Sequence, residues 1–273
     1  MKPSALIFDS GVGGLSILQE VRQLLPGLTV HYLMDNAAFP YGLKADGVLI
    51  QRVQDVCDTA VAELQPDLLV IACNTASTLT LPFLRQRLSI PVVGVVPAIK
   101  TAAAQPGCRR VGLLATPATV NRSYTDRLIA EFASHCDVVR FGSSELVRWA
   151  EEYLASGEQP EALYNHLNPW LSGNNAPDHV VLGCTHFPLL RAELERLWPQ
   201  ISWIDSGSAI ARRVASLLPA AGRQQQPAPI GCYWTDSHLP APAGALRFLE
   251  KLGTVSRTEC LGPDFLIHAP GFV

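Results

Sequence analysis

Two cysteines stand at strand ends, where side chains most often do chemistry. Cys73 follows Leu69-Val70-Ile71-Ala72 and precedes Asn74-Thr75, and Cys184 follows Val180-Val181-Leu182-Gly183 and precedes Thr185-His186. A cysteine is more often a small buried hydrophobe. That is the reading for Cys57, on an apolar helical face, and for Cys108, Cys136, Cys232 and Cys260, which flank elements without polar company. Cys73 and Cys184 differ because each is expected to open a helix, whose positive end favours a thiolate. Two such thiols admit three chemistries. A disulfide is one, disfavoured in a reducing cytoplasm. Zinc held with His186 is another, but Cys-x-His is not a common zinc spacing. The third is proton transfer at one carbon from opposite faces. A single base tends to return a proton to the side it left, whereas two facing bases can invert a stereocentre. A thiol pKa of about 8.5 can be tuned toward neutrality, so either partner can act as base or acid.

Other strand ends carry polar or flexible groups. Asp9-Ser10-Gly11-Val12-Gly13-Gly14 is glycine-rich, but Ser16 occupies the third glycine position of a dinucleotide fingerprint and no Gly-Lys-Ser/Thr follows. It is either a tight strand-to-helix turn or a nest of backbone amides that binds a carboxylate with the Ser10 hydroxyl. Asp9 is either a helix cap or a partner for a substrate ammonium. Pro40-Tyr41-Gly42 is a turn by composition. His186, two residues after Cys184, is placed to tune that thiol. Glu151-Glu152 is most simply a solvated helix face, and Asp205-Ser206-Gly207 a strand end with a helix cap. Four lysines in the whole chain give a pyridoxal Schiff base little support.

Short apolar runs alternate with amphipathic stretches throughout. Strands are expected at Ala5–Phe8, Thr29–Met34, Asp67–Ala72, Ile90–Val96, Arg110–Ala115, Asp137–Phe141, His179–Gly183 and Ser202–Ile204. Leu15, Leu18, Val21 and Leu25 mark a helix, as do Val53, Val56, Cys57, Ala60, Val61 and Leu64. Asp35–Gly47 reads as a loop. Further helices are expected near Leu128 and Phe132, over Glu145–Ala155 and Glu161–Leu171, and around Leu189, Leu190, Leu194 and Leu197. Continuous apolar strands separated by helices predict parallel α/β sheets covered on both faces, with ligands at the strand C-terminal edge. Residues 69–75 resemble 180–186, and residues 6–9 resemble 112–115 at a similar offset, which suggests two related α/β halves. Gly222–Pro229, with its Gln224-Gln225-Gln226, is the one linker-like segment, and the strand and helix after it are expected to pack on the first half.

The chain of 273 residues is 48% hydrophobic and 16% charged, with a net charge of −3. It is therefore globular and has no bulk electrostatic reason to bind nucleic acid or an anionic membrane. No apolar run reaches the ~18 residues of a membrane span, and the N-terminal residues lack signal-peptide anatomy. Seven cysteines without a C-x-x-C pair speak for free thiols and a cytoplasmic setting.

Together these motifs resemble the glutamate racemases of bacterial cell-wall synthesis, cofactor-independent members of the aspartate/glutamate racemase superfamily. The resemblance rests on Phe8 through Ser16, Pro40-Tyr41-Gly42, Ala72 through Ser77, Gly94 through Ala98, Leu182 through Leu190, and Asp205-Ser206-Gly207, in the family's order. It implies an α/β fold of two pseudo-symmetric domains, residues 1–97 plus 209–273 and residues 98–208, each a mostly parallel sheet flanked by helices, with the active site in the interdomain cleft. It implies Cys73 and Cys184 as the two acid/base residues, with Asp9 and His186 assisting. Asp9, Ser10, Tyr41, Gly42, Asn74, Thr75, Thr185 and His186 would contact substrate. Glu151 matches an assisting acidic residue on a helix of the second half. The implied reaction interconverts L- and D-glutamate without cofactor or metal and supplies D-glutamate for peptidoglycan. The implied state is monomer or homodimer, without nucleic-acid or membrane partners, and a UDP-linked muramoyl peptide is the implied activator. The alternatives are a related racemase acting on aspartate and a non-catalytic module that binds acidic amino acids.

Overall fold

The computed structural model describes residues 2–219, 226–239 and 242–261. The chain divides into two compact units, residues up to Val95 with those from Gly207 onward, and Val96–Ser206. The first unit begins with strand β1 (Ser4–Asp9), helix α1 (Leu15–Leu24), β2 (Thr29–Met34), α2 (Asp46–Leu64), β3 (Leu68–Ile71), α3 (Asn74–Arg87) and β4 (Val92–Gly94). In the second come α4 (Ile99–Ala103), β5 (Arg110–Ala115), α5 (Pro117–Val120), α6 (Ser123–Phe132), β6 (Asp137–Gly142), α7 (Glu145–Ser156), α8 (Leu163–Leu171), β7 (His179–Leu182), α9 (Arg191–Leu197) and β8 (Ser202–Ile204). The first unit resumes with α10 (Gly207–Leu217), β9 (Ile230–Trp234), α11 (Ala243–Leu252) and β10 (Val255–Cys260).

Both sheets are parallel. The first has the order β10-β9-β2-β1-β3-β4 and the second β6-β5-β7-β8. The expected α/β class therefore holds, and the continuous apolar runs have their physical cause here. Leu6 and Phe8 of β1, with Leu69 and Ile71 of β3, pack on Val53, Val56, Cys57 and Ala60 of α2. The alternate residues Ala5, Ile7 and Val70 are also fully buried, so neither face of these strands tolerates a polar side chain. On the other helical layer α1 packs against α10 and α11.

The four strands β1–β4 lie in the order second, first, third, fourth, and β5–β8 repeat that order. In each sheet the connections from the first strand leave in opposite directions beside the third. This opens a crevice at the carboxyl ends of the first and third strands. Asp9 and Cys73 sit at one such pair of ends, and Thr116 and Cys184 at the other. Ala72 N–H bonds to the Phe8 carbonyl at 2.7 Å, and Gly183 N–H to the Leu114 carbonyl at 2.7 Å, so the pairing runs to the last residue before each cysteine.

Three expectations change. The Asp35–Gly47 segment is not irregular throughout: it holds 3-10 turns at Asn36–Ala38 and Tyr41–Leu43, and α2 starts at Asp46. The last segment adds two strands rather than one. β9 pairs with β2, and β10 extends the sheet edge beyond it. Its exposed and half-buried residues follow from that edge position. Cys184 does not open an α-helix. A turn and a 3-10 segment, Phe187–Leu190, intervene before α9, so a helix dipole reaches Cys73 but not Cys184. Of the linker-like segment, residues 222–225 lie outside the described residues. No helix among the described residues is long and apolar enough to cross a membrane.

The glycine at the start of α1 is dictated by close approach. A Cβ on Gly14 would lie 2.9 Å from Asp9 Cβ, 3.0 Å from Tyr32 Cε2 and 3.1 Å from Ala72 Cβ. These neighbours belong to rigid strands and strand ends, so they cannot yield cheaply. Gly14→Ala should destabilise the protein by roughly 1–3 kcal/mol, measured as a lower urea midpoint with unchanged slope. An unchanged midpoint would show that the strand ends are looser than the packing implies.

Candidate functional site

At the first crevice the Asp9 side chain is fully buried. Its Oδ1 accepts from the Ser10 hydroxyl at 3.2 Å and the Gly11 amide at 3.1 Å. The Tyr32 hydroxyl donates to the Gly11 carbonyl at 2.7 Å, which pins the glycine-rich turn from below. Cys73 is the residue before α3 and is 7% exposed. Its backbone is extended, so the first amides of α3 lie just beyond it, and their dipoles favour negative charge there. The helix is held in place by Ser77, whose hydroxyl donates to the Ile71 carbonyl at 2.8 Å and accepts from the Val95 amide at 3.0 Å. Asn74 and Thr75 are buried beside Cys73. Asn74 Nδ2 is shielded from solvent and has no hydrogen-bond partner among the described residues. A buried amide donor left open costs about 1–3 kcal/mol, so this one marks a place where a ligand acceptor would be favourable.

Tyr41 lies on the same core, 1% exposed, with its ring 6.3 Å from that of Phe8. Its hydroxyl is committed to Asp35, 2.6 Å away. Asp35 is a residue that sequence reasoning passed over. Fully buried at the end of β2, it also accepts from the Thr235 hydroxyl at 2.7 Å and from Arg52 at 2.9 and 2.6 Å. Burial, then the charge of Asp35, holds the Tyr41 phenol well above its ordinary pKa. Tyr41 is therefore a neutral donor to Asp35. Gly42, next in the 3-10 turn, is half-buried. An acidic residue directly after an apolar strand was the available signal for Asp35.

At the second crevice three groups form a chain. Cys184 Sγ lies 3.8 Å from His186 Nδ1, and His186 Nε2 lies 2.8 Å from Glu151 Oε1 on α7. The cysteine is 7% and the histidine 2% exposed. Burial alone pushes the His186 pKa down. Its hydrogen bonds to Cys184 and Glu151, with their negative charges, outweigh that and hold it well above the ordinary histidine range. Thr185 is buried between the two ends of the turn. The Glu151-Glu152 pair divides by helix geometry. Glu152 pairs with Arg148 on the exposed face, while Glu151 faces His186. Thr116, buried directly after β5, occupies the position that Ser10 holds in the first unit, since the Asp9 carbonyl accepts from the Asp35 amide as the Ala115 carbonyl does from the Ser143 amide. The offset between residues 6–9 and 112–115 was the signal that could have found it. Asp205 pairs with Arg191, and Ser206 donates to the Val96 carbonyl at 2.6 Å, tying the end of the second unit to its start.

Four of the remaining five cysteines separate into two groups. Cys57 and Cys232 are core residues, and burial raises both thiols, Cys232 to about 12. Cys108 and Cys136 correct the expectation of no polar company. Their sulfurs are 3.9 Å apart, and Cys108 lies beside Asp178 and His179. The company is invisible in the sequence because it comes from the starts of three different strands.

The sequence model described as Asp/Glu/Hydantoin racemase matches residues 15–214. A glutamate racemase of Yersinia pseudotuberculosis serotype O:3 is 56% identical over 220 residues, 80% of this chain and 76% of that protein. One from Photorhabdus laumondii is 54% identical over 219 residues, with the same coverage, 80% and 76%. The crystal structure of Escherichia coli glutamate racemase, in complex with L-glutamate and the activator UDP-MurNAc-ala, superimposes with a TM-score of 0.88 at 43% identity, covering 96% of this chain and 99% of that one.

The raised His186 pKa has a testable sign. Its folded value lies above the unfolded one of about 6.5, so its stabilising contribution is complete below that pH and is lost as pH rises through the folded value. NMR titration of the imidazole should find His186 still protonated above neutrality, and Glu151→Gln should lower its midpoint. A midpoint at or below that of an exposed histidine would show that burial outweighs the two partners.

Proposed function

The chain belongs to the Asp/Glu/hydantoin racemase family, and we propose that it interconverts L- and D-glutamate by proton transfer through Cys73 and Cys184. The observation that carries this reading is the pair of buried thiols at equivalent third-strand ends, each beside a group suited to holding negative charge. For Cys73 that group is the N-terminus of α3. For Cys184 it is His186, backed by Glu151. One cysteine, as thiolate, removes the α-proton, and the other, as thiol, gives a proton to the opposite face. The enantiomer bound decides which acts first. The thiol pKa range suits both roles.

The substrate is a zwitterion with a second carboxylate, and polar groups of both crevices match it. The open Nδ2 of Asn74 is a donor for a carboxylate. The Ser10 hydroxyl and the amides of the glycine-rich turn add further donors, while Asp9 offers a carboxylate to the ammonium. Thr75 and Thr185 line the same strand ends. Tyr41 acts by position, because its hydroxyl is held by Asp35, and Gly42 leaves the backbone beside it accessible. The carbanion-like transition state needs fixed donors in a dry site more than it needs strong binding of the ground state. The chemistry asks nothing of pyridoxal, metal or nucleotide. Glutamate of D configuration would feed peptidoglycan synthesis in the cytoplasm, and the likeness to the Escherichia coli enzyme supports a UDP-linked muramoyl peptide as activator.

Cys73→Ala and Cys184→Ala should each lower kcat for racemisation by at least about 10³-fold, since general acid–base groups contribute 10²–10⁴-fold and here one face loses its only proton carrier. Circular dichroism of L- and D-glutamate incubations measures this, with L-aspartate as the control substrate and UDP-MurNAc-Ala added in a parallel series. Each variant should retain one-sided elimination from a β-chloro amino acid whose proton faces the remaining thiol. Near-normal racemisation in either variant refutes the assignment, faster turnover of aspartate refutes the substrate, and no response to the nucleotide refutes the activator.

A further inference from the structure

The second sheet carries a side-chain cluster that the proposed reaction does not use. Cys108 precedes β5 by two residues, Cys136 directly precedes β6, Asp178 directly precedes β7 and His179 is its first residue. These three strands are neighbours in the order β6-β5-β7. Their N-terminal starts therefore bring three potential metal ligands to one place, with Cys136 beside one of them. The Cys108 sulfur, an Asp178 carboxylate oxygen and a His179 ring nitrogen all lie within 4.8 Å of one another. The Cys136 sulfur lies 3.9 Å from that of Cys108. Thiolates bound about 2.3 Å from a tetrahedral zinc stand about 3.8 Å apart, so the two sulfurs already have the spacing of one edge of that tetrahedron.

Two further features mark the cluster as built. Asp178 Oδ1 and His179 Nδ1 are 3.0 Å apart and shut off from solvent, and they have no partner among the described residues besides each other. A carboxylate oxygen and a ring nitrogen close to the same thiol offer lone pairs that one cation could take up together. The loops are also fixed. Cys108 N–H bonds to the Gln105 carbonyl at 3.1 Å, Cys136 N–H to the Ala133 carbonyl at 3.0 Å, and Ser202 N–H to the Asp178 carbonyl at 3.0 Å. Little backbone would have to be ordered on binding.

We propose that Cys108, Asp178 and His179, completed by a side-chain turn of the neighbouring Cys136, form a binding site for a divalent, thiophilic metal ion of the zinc class. The donor set, two sulfurs with one nitrogen and one carboxylate oxygen, suits zinc over magnesium or calcium, which take oxygen ligands. Each thiol gives up its proton on binding, so two protons are released per ion. With the Cys136 side chain turned inward, four protein donors would close the coordination shell, as in a structural site. The site lies at the opposite edge of the sheet from Cys184, a strand length away at about 3.3 Å per residue. Its ion would clamp the starts of β5, β6 and β7 and take no part in proton transfer.

The test uses full-length Cys73→Ala/Cys184→Ala protein, in which the proposed catalytic thiols cannot hold the metal. After chelator treatment under reducing conditions it is titrated with zinc, and with cobalt as a spectroscopic probe. The expected result is one equivalent bound, release of two protons, a thiolate-to-cobalt charge-transfer band and a higher thermal midpoint with zinc. Adding Cys108→Ser/Cys136→Ser should weaken zinc binding at least about 100-fold and abolish the band. His179→Ala, which leaves both sulfurs in place, should weaken binding by a similar factor and shift the cobalt ligand-field spectrum. Metal-free thermal melts confirm that each variant is folded. Equal zinc affinity with and without the two serines would overturn the proposal. So would no binding below millimolar zinc, or a Cys108–Cys136 disulfide as the only change that the pair undergoes.

Discussion

A thiol becomes a useful base only where its charge is met by fixed dipoles and water is kept away. The end of a fully buried parallel strand provides both conditions. Its side chains are apolar on two faces, and its last backbone groups point into a turn that a helix or a glycine-rich loop must satisfy. In this chain β1 and β3 are buried on both faces up to Asp9 and Cys73, and β7 is buried up to Cys184. The pairing that continues to Ala72 and Gly183 fixes where each cysteine emerges. Everything proposed about function depends on that constraint, because a cysteine one residue earlier would belong to the strand and one residue later to the turn.

The two halves share strand order but not the means of holding charge. Cys73 has the first amides of a fourteen-residue helix beyond it. Cys184 has a turn and a 3-10 segment, which gather little dipole, and a buried imidazole takes over. That imidazole keeps its proton because Cys184 and Glu151 flank it. A similar logic operates at Asp35, where a carboxylate with no solvent contact is kept in place by Tyr41, Thr235 and a two-pronged Arg52. Removing one partner from such a group costs more than the pair was worth, because the charge left behind stays buried.

The central architecture was legible because its physical cause is local. Strands β2, β5 and β8 coincide with the expected runs and β1 exceeds its run by one residue at each end, and a strand such as β1 or β3, covered on both sides, has no alternative composition. Asp9, Cys73, Cys184 and His186 were visible as exceptions at the ends of those runs. What escaped was set by distance in the chain. No expectation covered Val255–Cys260, because β10 is a sheet edge whose side chains are exposed or half-buried. The Asp35 partners lie as far away as Thr235. Cys108 and Cys136 looked like ordinary hydrophobes because Asp178 and His179 reach them only through the β6-β5-β7 order. Composition alone put Glu151 and Glu152 on one solvated face and only the resemblance singled out Glu151; the helical rotation between them sends it to His186 and Glu152 to Arg148.

The most direct measurement of the two-thiol account is early-time isotope incorporation by the wild-type protein. L-Glutamate is incubated in D₂O, the reaction is stopped at a few per cent conversion, and the enantiomers are separated for mass analysis. A thiol that receives the substrate proton can only return it to the same face, while the opposite thiol delivers deuterium from solvent. The account predicts that D-glutamate carries one deuterium at the α-carbon while the remaining L-glutamate is essentially unlabelled, and the mirror pattern from D-glutamate. Equal deuterium in both enantiomers from the first time point would mean that one exchangeable group serves both faces, and would contradict it.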